Sequence, residues 1–304
     1  MASSTGTLRE WLCEGPYSLA LSSSWLGLFC HAGVLCALVE SGFPPSKISG
    51  SSAGALVGVL WAATMDPQHL RETMERAESK NPIIWASLFS RNCLPGVVNI
   101  HKSVREVLGR ILKGQNVPNL EEGPLPVLVS AFDVTRLKTK VFSSGNADSA
   151  LAASMAVPVL FKPVWANGRP FLDGAVGDVA GVKGLERSER VLYHHATNLP
   201  LWLTQHLGEF SDLTTLKIHG LPHLNPWQLP GNGMEAFRLA KEATFRALDS
   251  PMSRLWRPGG STPATPPADS DGGKSSVSFE TRNTGVRVVE VRAKGTRERI
   301  RSRL

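Results

Sequence analysis

Lys47-Ile48-Ser49-Gly50-Ser51-Ser52-Ala53-Gly54-Ala55-Leu56-Val57-Gly58-Val59-Leu60 is the stretch that decides the fold. A short strand, Lys47 to Ser49, runs into a tight Gly/Ser turn. An apolar helix, Ala53 to Ala63, leaves it, and a helix this apolar belongs in an interior. Upstream, Tyr17 to Leu21 reads as a buried strand. Gly27 to Ser41 then carries Leu28, Ala32, Leu35, Leu38 and Val39 at helical spacing, until Gly42, Pro44 and Pro45 stop it. Downstream, Asp66 and Pro67 open another helix, with Asp66 as N-cap. Strand, helix, strand, helix in this order predicts an α/β fold with a mostly parallel sheet covered on both faces.

The same reading extends outward. Pro126 to Phe132 is a strand and Lys140 to Ser143 another. Ser149 to Ala156 is a short helix ending at Pro158, Arg169 to Leu172 leads into Asp173, and Gly233 to Leu248 is an amphipathic helix. The expected organisation is an N-terminal extension over 1–16, a body over 17–250 and a flexible basic tail over 257–304. Within that tail Val286 to Val291 has the pattern of an edge strand, and Arg257 to Ser278 is Pro, Gly, Ser and Thr rich, as linkers are.

The chain has 304 residues with 42% hydrophobic and 19% charged, enough for a large core and too apolar for disorder. Its formal charge is +7, unevenly placed: 23 basic and 21 acidic residues up to Trp256, 10 and 5 beyond. A nearly neutral body argues against a nucleic-acid groove, so no nucleic-acid partner is expected. Cys13, Cys30, Cys36 and Cys93 form no CxxC pair, which predicts reduced thiols in an intracellular compartment. No segment is apolar enough to span a bilayer. No secretory signal is evident, and the expected location is cytoplasmic or peripheral to a membrane. The Ser/Thr-rich opening Ala2 to Thr7 keeps organelle targeting open.

Gly50-Ser51-Ser52-Ala53-Gly54 matches G-x-S-x-G. In that pattern a nucleophile sits on a strained strand-to-helix turn with its hydroxyl exposed, and glycines allow strand and helix to approach. The helix N-terminus directs its dipole at the developing charge. A Ser/Gly turn between core elements would look the same. A second constellation, Phe171-Leu172-Asp173-Gly174-Ala175, places an aspartate at a strand end. If its carboxylate meets Ser52, it serves as general base without a histidine; otherwise it is an ordinary Asp-Gly turn.

Taken together, the chain resembles the patatin-like phospholipases. The likeness rests on Cys30 to Leu35 ahead of Ile48 to Ala55, on Ala152 to Pro158 followed by Phe161 to Val164, and on Leu172 to Asp178. It runs from about Tyr17 to Leu248, with Leu224 to Trp227 and the last helix resembling a bacterial and algal branch. The resemblance implies a three-layer α/β/α sandwich and a Ser-Asp dyad, Ser52 as nucleophile and Asp173 as base. Gly50 and Gly54 then flank the elbow, and Gly174 and Ala175 complete the Asp-Gly motif. It implies no cofactor and no metal. His194 and His195, being adjacent, do not make a ligand pair and are read as surface or packing residues.

One departure stands out. The family has a glycine-rich oxyanion loop after its first strand, where this chain has Ser22-Ser23-Ser24-Trp25-Leu26-Gly27. Alignment puts either Ser22 to Ser24 or Ser23 to Trp25 over the three glycines. The oxyanion donors are sought among Ser22, Ser23, Ser24, Trp25 and Ala53. Losing one such donor costs about 2.7–4 kcal/mol of transition-state stabilisation. Two readings follow. The first is a lipid acyl hydrolase of phospholipase A or acylglycerol lipase type, acting on a lipid or acyl-ester substrate. The alternative is a weak or inactive lipid-binding, regulatory protein on the same scaffold. A non-lipid thioesterase or peptidase is a third. Arg282 to Leu304, with eight basic and two acidic residues, is a place to seek contact with anionic lipid headgroups, the alternative being a merely solvated terminus; Trp202 and Trp227 are read as interface or core residues.

Overall fold

The computed structural model describes residues 6–79, 119–196, 206–222, 232–254 and 286–293. In chain order its elements are α1 (Leu8–Cys13), β1 (Ser18–Leu21), α2 (Leu28–Glu40), β2 (Lys47–Ser51), α3 (Ala53–Ala62) and α4 (Pro67–Ser79). After them come β3 (Val127–Asp133), β4 (Lys138–Phe142), α5 (Ala147–Ser154), β5 (Val164–Ala166) and β6 (Arg169–Leu172). The last are β7 (Arg190–His195), β8 (Asp212–His219), α6 (Gly233–Leu248), β9 (Ser253–Arg254) and β10 (Val286–Arg292).

One mixed sheet runs β5-β6-β3-β2-β1-β7-β8-β10-β9, with β4 paired to β3. The six central strands, β3 to β10 in that order, are parallel to one another. The pleat distributes side chains to two faces, as the two-residue period requires. Leu19 and Leu21 of β1 and Leu192 of β7 join one cluster with the helices. Ala20, Val191 and Tyr193 join another with Ala180, Val182, Leu207 and Phe210. The sheet is therefore the middle of three layers, and the expected α/β/α architecture is what the chain adopts.

Most predicted elements lie where the pattern put them. Asp66 caps α4 by accepting from Gln68 N–H at 3.0 Å. Helix α5 begins two residues before Ser149, because Asn146 is the N-cap and accepts from Ser149 N–H at 2.9 Å. Residues before Tyr17 include a capped helix whose Leu8, Trp11 and Leu12 join the main core. Its sequence signal is the capping box of Thr7 and Glu10. Of the segment 257–304, β10 is an integral strand: it pairs in parallel with β8 along Val286 to Arg292, with β9 outside it. The rest of that segment, Cys93, Trp202 and Leu224 to Trp227 lie outside the described residues. Cys13, Cys30 and Cys36 are free thiols. No described helix is long and apolar enough to cross a membrane.

Candidate active site

The site forms at the carboxyl edge of the sheet, and pairing explains how it closes. Strand β4 runs along Val129 to Asp133 of β3 and fills one of its two edges. Strand β2 fills the other, but only as far as Ser130. Antiparallel β6 takes over at Phe132 and Asp133. It therefore meets the end of β2 head-on and delivers Asp173 to the residue that follows β2, Ser52.

Ser52 stands at φ 52°, ψ −116°, a conformation ordinary residues resist. Its neighbours leave no room for another path. A Cβ on Gly50 would lie 2.5 Å from Ala55 N, and one on Gly54 2.3 Å from the Leu21 carbonyl oxygen. The glycines let α3 fold back against β2 and β1. Ser52 N–H donates to Ser154 Oγ at 2.8 Å, tying the elbow to the end of α5.

Ser52 Oγ donates to Asp173 Oδ2 at 2.8 Å. The other carboxylate oxygen, Oδ1, accepts from Ala175 N–H at 2.8 Å, and Asp173 N–H is held by Ala156 O at 2.9 Å. Gly174 is needed for this turn, since a Cβ would fall 2.3 Å from Ser130 O and 2.5 Å from Ser51 Oγ. Asp173 is buried, and burial pushes its pKa up to about 6 against the pull of its bonds from Ala175 and Ser52. Asp178 anchors the next loop, accepting from Ser130 Oγ at 2.7 Å and from the Val182 and Lys183 amides at 3.0 Å.

The loop after β1 lies beside Ser52, because Leu21 pairs with Gly50. Its first two amides are engaged: Ser22 N–H reaches His194 O at 3.4 Å, and Ser23 N–H donates to Val179 O at 2.7 Å. Trp25 adopts φ 53°, the left-handed backbone a glycine would take there, and is a little under half exposed. Ala53 opens α3, where first-turn amides lack an intrahelical acceptor.

Under this loop lies a pair of buried imidazoles: His194, read from the sequence as a surface or packing residue, is buried, and its contact with His31 went unread. His31 Nδ1 and His194 Nδ1 are 2.8 Å apart. His31 Nε2 is 2.9 Å from Ser22 O and 3.0 Å from Ser24 Oγ. A carbonyl only accepts, so His31 carries its proton on Nε2, and His194 donates from Nδ1 to His31 Nδ1. Burial keeps both neutral: His31 is pushed down to about 4, and His194 lies well below its usual value, by burial first and its histidine neighbours second. His195 faces the other way and meets Tyr193 OH at 2.9 Å. Among the described residues no group of three or more His, Cys, Asp or Glu is placed to hold a metal.

The patatin-like phospholipase family model matches residues 23–185, more than half of the chain and a span holding both Ser52 and Asp173. The chain belongs to the patatin-like phospholipase family. An uncharacterized NTE family protein of Mycobacterium bovis is 31% identical over 165 residues, which are 53% of this chain and 43% of that protein. Lysophospholipase NTE1 of Mycosarcoma maydis is 25% identical over 177 residues, 58% of this chain and 9% of that one. The chain thus spans less than half the length of either relative. Among solved structures, the type III effector ExoU aligns with a TM-score of 0.40 at 15% identity, covering 77% of this chain and 53% of that chain. VipD from Legionella pneumophila aligns at 0.38 and 17%, covering 68% and 51%.

Proposed function

We propose that this chain is a serine lipid acyl hydrolase that cleaves carboxylic esters through Ser52 and Asp173. The observation that carries the reading is the 2.8 Å bond from Ser52 Oγ to a buried carboxylate, made from a strained elbow at a helix N-terminus. As Ser52 Oγ attacks the ester carbonyl carbon, its proton passes to Asp173 Oδ2. The oxyanion is met by the Ala53 amide and by donors of the Ser24–Trp25 loop, with the α3 dipole favouring the charge. Collapse expels the alcohol, which takes the proton from Asp173. Water then gives one proton to Asp173 as its oxygen joins the acyl carbon; collapse breaks the bond to Ser52 Oγ, which takes that proton back from Asp173, and the fatty acid leaves.

Family membership directs the substrate to phospholipids or acylglycerols. The relative named as a lysophospholipase makes a single-chain phospholipid the first compound to try. The alternative, a lipid-binding protein with little turnover, draws support from the Ser22 and Ser23 amides, which are engaged with His194 O and Val179 O. Fluorophosphonate labelling and ester hydrolysis of wild type beside Ser52→Ala decide between them. The hydrolase reading expects labelling that disappears in the variant and a rate loss of about a thousandfold or more. An unlabelled, inactive wild type overturns it.

A further inference from the structure

Among the described residues seven large hydrophobics are exposed, and five of them stand on the dyad's edge of the sheet: Trp25, Leu137, Val159, Trp165 and Val176. Trp25 lies in the loop after β1, and Val176 follows Asp173 by three residues. Val159 follows Ala156, whose carbonyl holds the Asp173 amide. Leu137 tips the β3–β4 hairpin that leaves the end of β3. Trp165 pairs with Pro170, whose carbonyl accepts from Val134 just past that end. Leu137 is 76% exposed, and Val159 and Trp165 are 72%.

Backbone conformation sharpens the point. Trp25, Leu137 and Val159 have φ of 53°, 51° and 72°. Exposed left-handed positions ordinarily take Gly or Asn, and a residue with a Cβ is disfavoured there by about 1–2 kcal/mol. For Leu137 and Val159, 76% and 72% exposed, neither burial nor turn chemistry selects the side chain. Something outside the chain does.

Charge identifies it. From Val134 to Asn146 the chain carries Arg136, Lys138 and Lys140, and from Met155 to Leu172 it carries Lys162 and Arg169; neither stretch has an Asp or Glu. Asp133, Asp173 and Asp178, the acids at the ends of β3 and β6 and in the loop after β6, are buried. Arg136, Lys138 and Lys162 are exposed, and their side chains form no ion pair among the described residues. We propose that this edge is the face that lies on an anionic phospholipid bilayer. Leu137, Val159 and Trp165 enter the headgroup boundary, and Arg136, Lys138 and Lys162 meet the lipid phosphates. The docking deepens the acyl-hydrolase reading and rests on it for the lipid class, since it turns the mouth of the dyad toward the membrane.

The test uses the full chain in a Ser52→Ala background, so that lipid stays intact, and vesicles of phosphatidylcholine with and without phosphatidylserine. One variant carries Arg136→Glu, Lys138→Glu and Lys162→Glu; another carries Leu137→Ser, Val159→Ser and Trp165→Ser. Unchanged thermal unfolding verifies both folds. The parent is expected to float with anionic vesicles. Charge reversal should lower partitioning about a hundredfold, at roughly fivefold per cation, and the serine variant should lower it on both vesicle types. With Ser52 restored, each variant should hydrolyse a soluble monomeric ester like wild type and vesicle lipid at least tenfold more slowly. Flotation of both variants equal to the parent overturns the proposal, as does binding that ignores vesicle charge. If wild type hydrolyses no ester yet floats in a manner these residues control, the hydrolase reading fails and the docking surface stands.

Discussion

Asp173→Asn should make the protein more stable while silencing it. The carboxyl is buried, and burial raises its pKa from 3.8 to about 6. At about 1.36 kcal/mol per tenfold change in ionisation, ionising it inside the fold costs about 3 kcal/mol that the unfolded chain does not incur. The sign follows from the raised value. Asp173's contribution is fully present below about pH 3.8 and is lost as the pH climbs through about 6. Asparagine removes the charge and keeps the geometry: its oxygen accepts from the Ala175 amide, and its NH₂ donates to Ser52 Oγ. At pH 8 the variant should therefore exceed wild type by about 3 kcal/mol, or about 6 °C in Tm for a chain of this size. Below pH 4 the two should converge. Thermal unfolding from pH 4 to pH 8 reads the difference directly, with other titrating groups cancelling. A variant no more stable at pH 8, or a gap indifferent to pH, would refute the reasoning.

Three further expectations concern the same edge. Because Asp173 must be ionised to accept the Ser52 proton, kcat/KM for a soluble ester should fall about tenfold per pH unit below a midpoint of about 6. Gly54→Ala places a methyl 2.3 Å from the Leu21 carbonyl oxygen, so β1 must shift. Urea unfolding should show a loss of about 3 kcal/mol or more. His31→Ala leaves the Ser22 carbonyl and the His194 Nδ1–H without their partner in the interior; the same titration should show a loss of about 1–3 kcal/mol.

Much of the architecture was legible in residues, for reasons that are local. Gly42 with Pro44 and Pro45 ends a helix whatever surrounds it, and Ile48 to Ala55 spells a strand, an elbow and a helix. What the chain could not announce was set by pairing. Nothing in Arg169 to Leu172 says that β6 is antiparallel and enters where β2 stops, yet that register brings Asp173 to Ser52. Strand β5, three residues long, is too short to leave a pattern. The imidazole pair was hidden differently. His31 sits in an apolar helix and looks like filler, and His194 beside His195 looks like a surface or packing doublet. Strand alternation sends one of the two toward each face, and only the partner on α2 gives His194 its meaning. Ser154 lay inside the Ala152 to Pro158 likeness, but the place of its hydroxyl under the elbow was unread, since a serine closing an Ala-rich helix has no signature of its own.

The place of β10 has a consequence for synthesis. It lies against β8, yet the two are separated in the chain by about 70 residues. At roughly 5–20 residues added per second, the nascent chain carries β8 for several seconds before its neighbour exists. Throughout that interval the row of amides and carbonyls from Leu213 to His219 is an open template for any extended peptide nearby. Protecting that row until the ribosome delivers Val286 is a task for the cell rather than for the fold.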